Sequence, residues 1–133
     1  MNINAAEKLL SKYKEITLEQ LEERFELLEE ILGKSCTGVN VMETLTGFGT
    51  CSTCMLCLEA KKLSNTSSNY CEDFCGHCVY KLNNAYYPYC LDDLYNKMSF
   101  SSNAKELYEA LQERINYLEQ TTKLYYEKSR RNI

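Results

Sequence analysis

Seven of the eight cysteines fall between Cys51 and Cys90 as C-x2-C-x2-C-x13-C-x3-C-x2-C-x11-C, and the sole histidine, His77, lies in the same stretch. Two cysteines separated by two residues can curl their sulfurs onto one side of a tight turn, which makes half of a tetrahedral metal site. Zinc is the expected ion. With four ligands to each ion, Cys51, Cys54, Cys57, Cys71, Cys75, Cys78, Cys90 and His77 supply one site, or two if every group ligates. Cys54 and Cys57 with Cys75 and Cys78 give C-x2-C-x17-C-x2-C, within the range of four-cysteine zinc modules. Cys51 and Cys54 with Cys71 and Cys75 give C-x2-C-x16-C-x3-C. The two solutions share Cys54 and Cys75, so a two-metal cluster that uses every cysteine is also open. Cys90, after Pro88, is the last ligand at the start of the segment Leu91 to Met98. His77 either ligates or donates a hydrogen bond to a ligating sulfur. Cys36, beyond Gly38, is expected to be a lone thiol. An iron-sulfur cluster is the alternative cofactor, because thiolates at these spacings accept either metal.

The rest of the composition narrows the setting. At 133 residues the chain is one domain's worth, large enough for a core and more secure with a metal staple. No stretch approaches the roughly twenty apolar residues of a membrane span, and the first residues, with Glu7 and no apolar run, do not form a secretory signal. An intracellular, reducing setting is therefore expected, where C-x2-C pairs serve metal or redox chemistry more than structural disulfides. The formal charge is -4, and each four-cysteine zinc site adds two further negative charges. That disfavours broad contact with nucleic-acid phosphates, since only Lys61 with Lys62, and Lys123, Lys128, Arg130 and Arg131, form local basic groups.

The chain divides into N-terminal helices over 1–34, a cysteine-rich head over 35–99 and a long helix over 100–133. Ala6, Leu9, Leu10 and Tyr13 predict one short amphipathic helix, and Leu18, Leu21, Phe25, Leu28 and Leu32 predict a second. Between them, Thr17 with Gln20 reads as a capping box and Ile16 with Leu21 as a hydrophobic staple, with Gly33 as the stop. Ser101, Ser102 and Asn103 offer capping oxygens to a helix that carries Ala104, Tyr108, Leu111, Ile115, Leu118, Thr122 and Tyr125 on one stripe. About 28 helical residues before the head match about 27 after it, each column roughly 40 Å long at the usual rise. The expectation is all-α: an antiparallel helical hairpin or small bundle with an inserted cysteine-rich zinc-binding head. A two-helix hairpin leaves apolar surface uncovered, so a homo-oligomer through the stem is the alternative to an intrachain partner.

Glu22, Glu23, Glu26, Glu29 and Glu30 crowd the second helix, two of them in its last turn, where the helix dipole disfavours negative charge. They form either a solvated face or a docking surface for a basic partner. Ser64 to Asn69 reads as a polar loop tip. Tyr70, Phe74, Tyr80, Tyr86, Tyr87 and Tyr89 read as core of a small module in preference to a base-stacking platform.

Phe48-Gly49-Thr50-Cys51-Ser52-Thr53-Cys54, followed by Leu58, Lys62-Leu63, Cys71 and Cys75, resembles the zinc finger of the DksA/TraR family, whose members bind RNA polymerase. The likeness implies that Cys51, Cys54, Cys71 and Cys75 share one zinc. Met55 stands where that family has glycine, and the closing pair is C-x3-C. Cys75-Gly76-His77-Cys78 resembles the C-G-H-C of protein disulfide isomerases, which would make these two cysteines a redox pair. The alternating strands and helices of a thioredoxin-like fold are absent from the pattern. Cys71-x3-Cys75-x2-Cys78 resembles the iron-sulfur motif of radical-SAM enzymes, yet the chain is too short for their barrel. Asp92 and Asp93 are adjacent and diverge on a helix, so they do not make an acid/base pair. With sulfur filling every metal position, a zinc here is structural, and no catalytic residues are expected. The sequence thus points to a zinc-binding adaptor or regulator that acts on a protein partner, without enzymatic activity and without a membrane. A regulator touching RNA polymerase or nucleic acid is the second reading, and a thiol-redox protein the third.

Overall fold

Helix α1 (Ile3–Glu15) forms where Ala6, Leu9 and Tyr13 recur at helical spacing, and all three are buried together with Ala5. It stops at Ile16, whose extended backbone leads directly to Thr17. There the expected capping box is present: the Thr17 hydroxyl accepts from the Gln20 N–H at 3.2 Å, and the Gln20 side chain accepts from the Thr17 N–H at 2.9 Å. Both members of the staple, Ile16 and Leu21, are buried. Helix α2 (Leu18–Leu32) ends at Gly33, whose φ of 63° is open to glycine at little cost, and one 3-10 turn (Gly33–Ser35) follows. The structure, a computed structural model, describes residues 1–46, 55–65, 67, 77–79 and 93–131.

Four further helices are present among the described residues, with no strand: α3 (Gly38–Thr46), α4 (Met55–Ser64), α5 (Asp93–Ser99) and α6 (Ala104–Arg131). The last begins much as its sequence suggests. Asn103 accepts from the Glu106 N–H at 2.9 Å. The flanking serines, however, are donors: Ser102 gives its N–H and its hydroxyl to the Glu106 carboxylate, while the Ser101 hydroxyl bonds the Lys97 carbonyl. The Ser102 N–H, with help from its hydroxyl, holds Glu106 below the ordinary carboxylate range.

An antiparallel stem is built from α1, α2 and α6. Lys14 pairs with Glu119 at 2.8 Å, and Tyr126 donates to Glu7, so contacts move forward along α6 as they move back along α1. At the far end Glu29 and Gly33 of the α2 terminus line a pocket with Ser102, just ahead of α6. Helices α1 and α2 each lie along α6 and share no extensive face with one another. The column is therefore split in two, 13 and 15 residues against the 28 of α6.

The core departs from the expected stripes in two ways. On α6 the expected Ala104, Leu111, Ile115 and Leu118 are buried, Tyr108, Thr122 and Tyr125 are half-buried, and Leu107, Ala110, Arg114 and Thr121 are buried as well. The reason is that α5 covers a further side of this helix, so the buried face is wider than one partner would make it. On α2, Leu21 and Phe25 are buried but Leu18 and Leu32 are exposed at its ends. Arg114, 1 % exposed, has its guanidinium carbon 5.8 Å from the centroid of the Tyr13 ring, a cation–π arrangement inside the stem.

Helices α3 and α5 pack on each other at the α2 end of the stem, and the close approach is made at Gly38. Its N–H donates to the Ser101 carbonyl at 2.8 Å, and a methyl group there would lie 1.8 Å from the Met98 carbonyl oxygen. The obstacle is backbone and cannot rotate away. Gly38→Ala is expected to destabilise the protein by about 3 kcal/mol, read as a lower urea midpoint with unchanged slope; an unchanged midpoint would mean that α3 and α5 can separate freely.

Among the described residues no helix is long and apolar enough to cross a membrane.

Candidate metal centre

The described part of the cysteine-rich stretch does not project beyond the tip of the stem. Leu56 and Ala60 of α4, with Cys78 and Val79, join the same buried cluster as α1 and α6, and α4 packs along α1. The side chain that draws these segments together is Asn2, 1 % exposed and immediately ahead of α1. Its Nδ2 donates to the Leu56 carbonyl at 2.7 Å and lies 3.5 Å from the Cys78 sulfur. Its Oδ1 accepts from the Val79 N–H at 2.7 Å, and its own backbone N–H donates to the His77 carbonyl at 3.0 Å. An asparagine ahead of a helix ordinarily caps it, yet this one makes no side-chain cap because both ends of its amide are committed elsewhere.

The consequence concerns the ligand set. One amide spans the backbone of Leu56 and the sulfur of Cys78, so α4 is tied to the His77–Val79 segment. In the sequence, each of these two segments adjoins one C-x2-C pair of the Cys54, Cys57, Cys75, Cys78 solution. An N–H donated to the buried Cys78 sulfur stabilises a thiolate more than a thiol, which suits a ligand.

Cys51, Cys54, Cys71, Cys75 and Cys90 lie outside the described residues, as do Phe48 and most of the aromatic residues of the head. His77 is half-buried and is held through its carbonyl. Among the described residues no group of three or more metal-binding side chains is assembled. Cys36 stands apart: it is buried in the joint between α2 and α3, and burial, reinforced by the nearby Glu29 carboxylate, pushes its thiol up. The reading of Cys36 as a lone thiol agrees with this setting.

Asn2 was not singled out in the sequence, and an isolated polar residue ahead of a helix gives no signal beyond capping. Lys8 and Lys12 of α1 and Lys61 and Lys62 of α4 line adjoining hollows together with Glu7 and Glu59, the central one about 420 Å³.

Compared with protein-family models, curated proteins and solved structures, the chain matches none. The likeness of Phe48 to Cys75 to the DksA/TraR zinc finger therefore stands on its residues alone.

Proposed function

We propose that this protein is a metal-stapled interaction module: Cys54, Cys57, Cys75 and Cys78 hold one structural zinc, and the protein acts by binding another protein. The observation that carries the reading is the buried Asn2 amide shared between the Leu56 carbonyl and the Cys78 sulfur. It favours this set over Cys51, Cys54, Cys71 and Cys75, because only the former uses both segments that Asn2 joins. The ion would fix α4 to the His77–Val79 segment and supply no reaction, since four sulfurs leave no place for water. The remaining cysteines, with His77, are available to a second ion.

The test is elemental mass spectrometry on untagged protein prepared without chelator, together with native mass. One or two zinc ions per chain and a colourless sample are expected. Iron, or a metal-free protein with the same fold and a reactive Cys75–Cys78 pair, would replace this reading with redox chemistry.

A second reading rests on the hollows between α1 and α4, where Lys8, Lys12 and Lys62 outnumber Glu7 and Glu59, a balance open to phosphate-rich nucleic acid. It requires affinity that falls steeply with salt and is lost in Lys61→Glu/Lys62→Glu. Binding insensitive to both would remove it.

A further inference from the structure

The three hollows between α1 and α4 run into one another. The central one shares Asn4, Lys8 and Met55 with the hollow along α1, and Leu58 and Lys62 with the hollow along α4. On α1, Asn4, Lys8 and Lys12 recur every four residues, and on α4, Met55, Leu58 and Lys62 recur at spacings of three and four, so each helix turns one face to this groove. Part of that lining is apolar and open. Leu58 is 45 % exposed and Met55 is half-buried, beside the buried Ala5.

The charges of the groove are mixed, and their balance is positive. Among the described residues Lys8, Lys12, Lys61 and Lys62 line it against Glu7 and Glu59. The Glu7 carboxylate accepts from the Tyr126 hydroxyl of α6, while Lys8, Lys12 and Lys62 are exposed and form no ion pair. This excess of lysine stands on a chain whose formal charge is -4. No aromatic residue and no arginine lines the hollows among the described residues, so neither base stacking nor forked phosphate contact is on offer there. An open leucine and methionine between lysines suit apolar side chains flanked by carboxylates.

We infer that this groove is the docking surface for an acidic amphipathic helix of a partner protein. Its apolar residues lie on Met55 and Leu58, and its carboxylates meet Lys8 and Lys12 on one wall and Lys61 and Lys62 on the other. Helices α1 and α4 pack directly on each other, and the furrow between two packed helices admits the side-chain ridge of a third. The inference rests on the interaction-module reading and gives it a binding face, one wall of which the proposed ion would hold by fixing α4.

The experiment uses the metal-loaded full chain, isotopically labelled, titrated with a synthetic amphipathic helix of leucine and glutamate. A scrambled peptide of the same composition and a single-stranded oligonucleotide are the controls. Expected are shift changes centred on Lys8, Met55, Leu58 and Lys62, and an affinity that weakens about tenfold or more in Lys8→Glu/Lys62→Glu and severalfold in the uncharged change Leu58→Gln. Lys105→Glu/Lys123→Glu, with the same change in net charge on α6, should bind as the parent does. No shifts along α1 and α4, equal binding of the scrambled peptide, or equal loss in both charge-reversed proteins would overturn the docking surface. Tighter binding of the oligonucleotide at the same residues, indifferent to Leu58→Gln, would give the groove to nucleic acid instead. A dimer by native mass that dissociates in Lys8→Glu/Lys62→Glu would give it to a second copy. Zinc content and helical circular dichroism are measured on every sample first: loss of binding with zinc and fold intact rejects the groove alone, and binding by a folded, zinc-free protein rejects the metal reading alone.

Discussion

Cys78→Ala is expected to release one equivalent of zinc and to lower the melting temperature so far that the α1–α4 contact is lost. Cys36→Ala, at a position equally well buried, should retain the metal and cost only about 1 to 2 kcal/mol. The contrast follows from the surroundings of the two sulfurs. Cys36 sits between α2 and α3 with a carboxylate nearby, where a thiolate is disfavoured. Cys78 receives an N–H from Asn2, which also accepts from the next residue, Val79. Structural zinc contributes about 10 kcal/mol or more in small modules at neutral pH, comparable with the whole stability of a domain this size. If Cys78 is a ligand, as proposed, its loss therefore threatens the fold and not merely the site. Elemental analysis and calorimetry on the two variants decide the matter. If Cys78→Ala keeps its zinc and melts with Cys36→Ala, the Cys78 sulfur is packing and not a ligand.

The second large effect belongs to Asn2. Asn2→Ala leaves the Leu56 carbonyl and the Val79 N–H without their partner in a buried place, a loss of about 2 to 5 kcal/mol. Asn2→Asp is the more informative change, because it preserves shape. An aspartate can still accept from Val79, but it sets a carboxylate oxygen against the Leu56 carbonyl and the Cys78 sulfur. Beside a metal-bound thiolate, like charges repel, and Asn2→Asp should be less stable than Asn2→Ala, with weaker zinc affinity. Beside a neutral thiol the order reverses, since the thiol can donate to the carboxylate. Chemical denaturation of both variants, with a competitive zinc indicator, reads the order directly.

Elements whose stability is local were open to inspection in the sequence. Thr17, Gln20 and Gly33 fix the limits of α2 by hydrogen bonds and backbone preference within a few residues, and the structure has them as expected. The α6 stripe is buried at Ala104, Leu111, Ile115 and Leu118 as expected, but it is narrower than the real face, because Arg114 and Thr121 occupy buried positions that a hydropathy pattern scores as solvent. Arg114 is accommodated in part by the face of Tyr13, a hundred residues away in the chain. Helix α3 was missed although it carries a signal: the Asn40 side chain accepts from the Thr37 N–H at 2.9 Å, half of a capping box, ahead of Val41, Met42 and Leu45. Its valines and threonines obscured that signal, since β-branched residues favour helices poorly. The candidate ligands were legible as a set through their spacing. Which pairs meet depends on Asn2, whose partners lie 54 and 77 positions away, and no local pattern encodes that.

Because synthesis runs from the N-terminal to the C-terminal side, the Asn2 contacts have a consequence for the order of assembly. Helix α1 is made before every one of these partners, for Leu56, Val79 and finally α6 must follow before it can dock. Contacts so distant in sequence slow folding and leave early apolar segments exposed to mispairing. Meanwhile α3 and the α2 terminus can settle locally. The ion, captured once both cysteine pairs have left the ribosome, would hold the middle of the chain in register as a platform on which α1 waits for α6, so that the last helix completed is also the one that closes the fold.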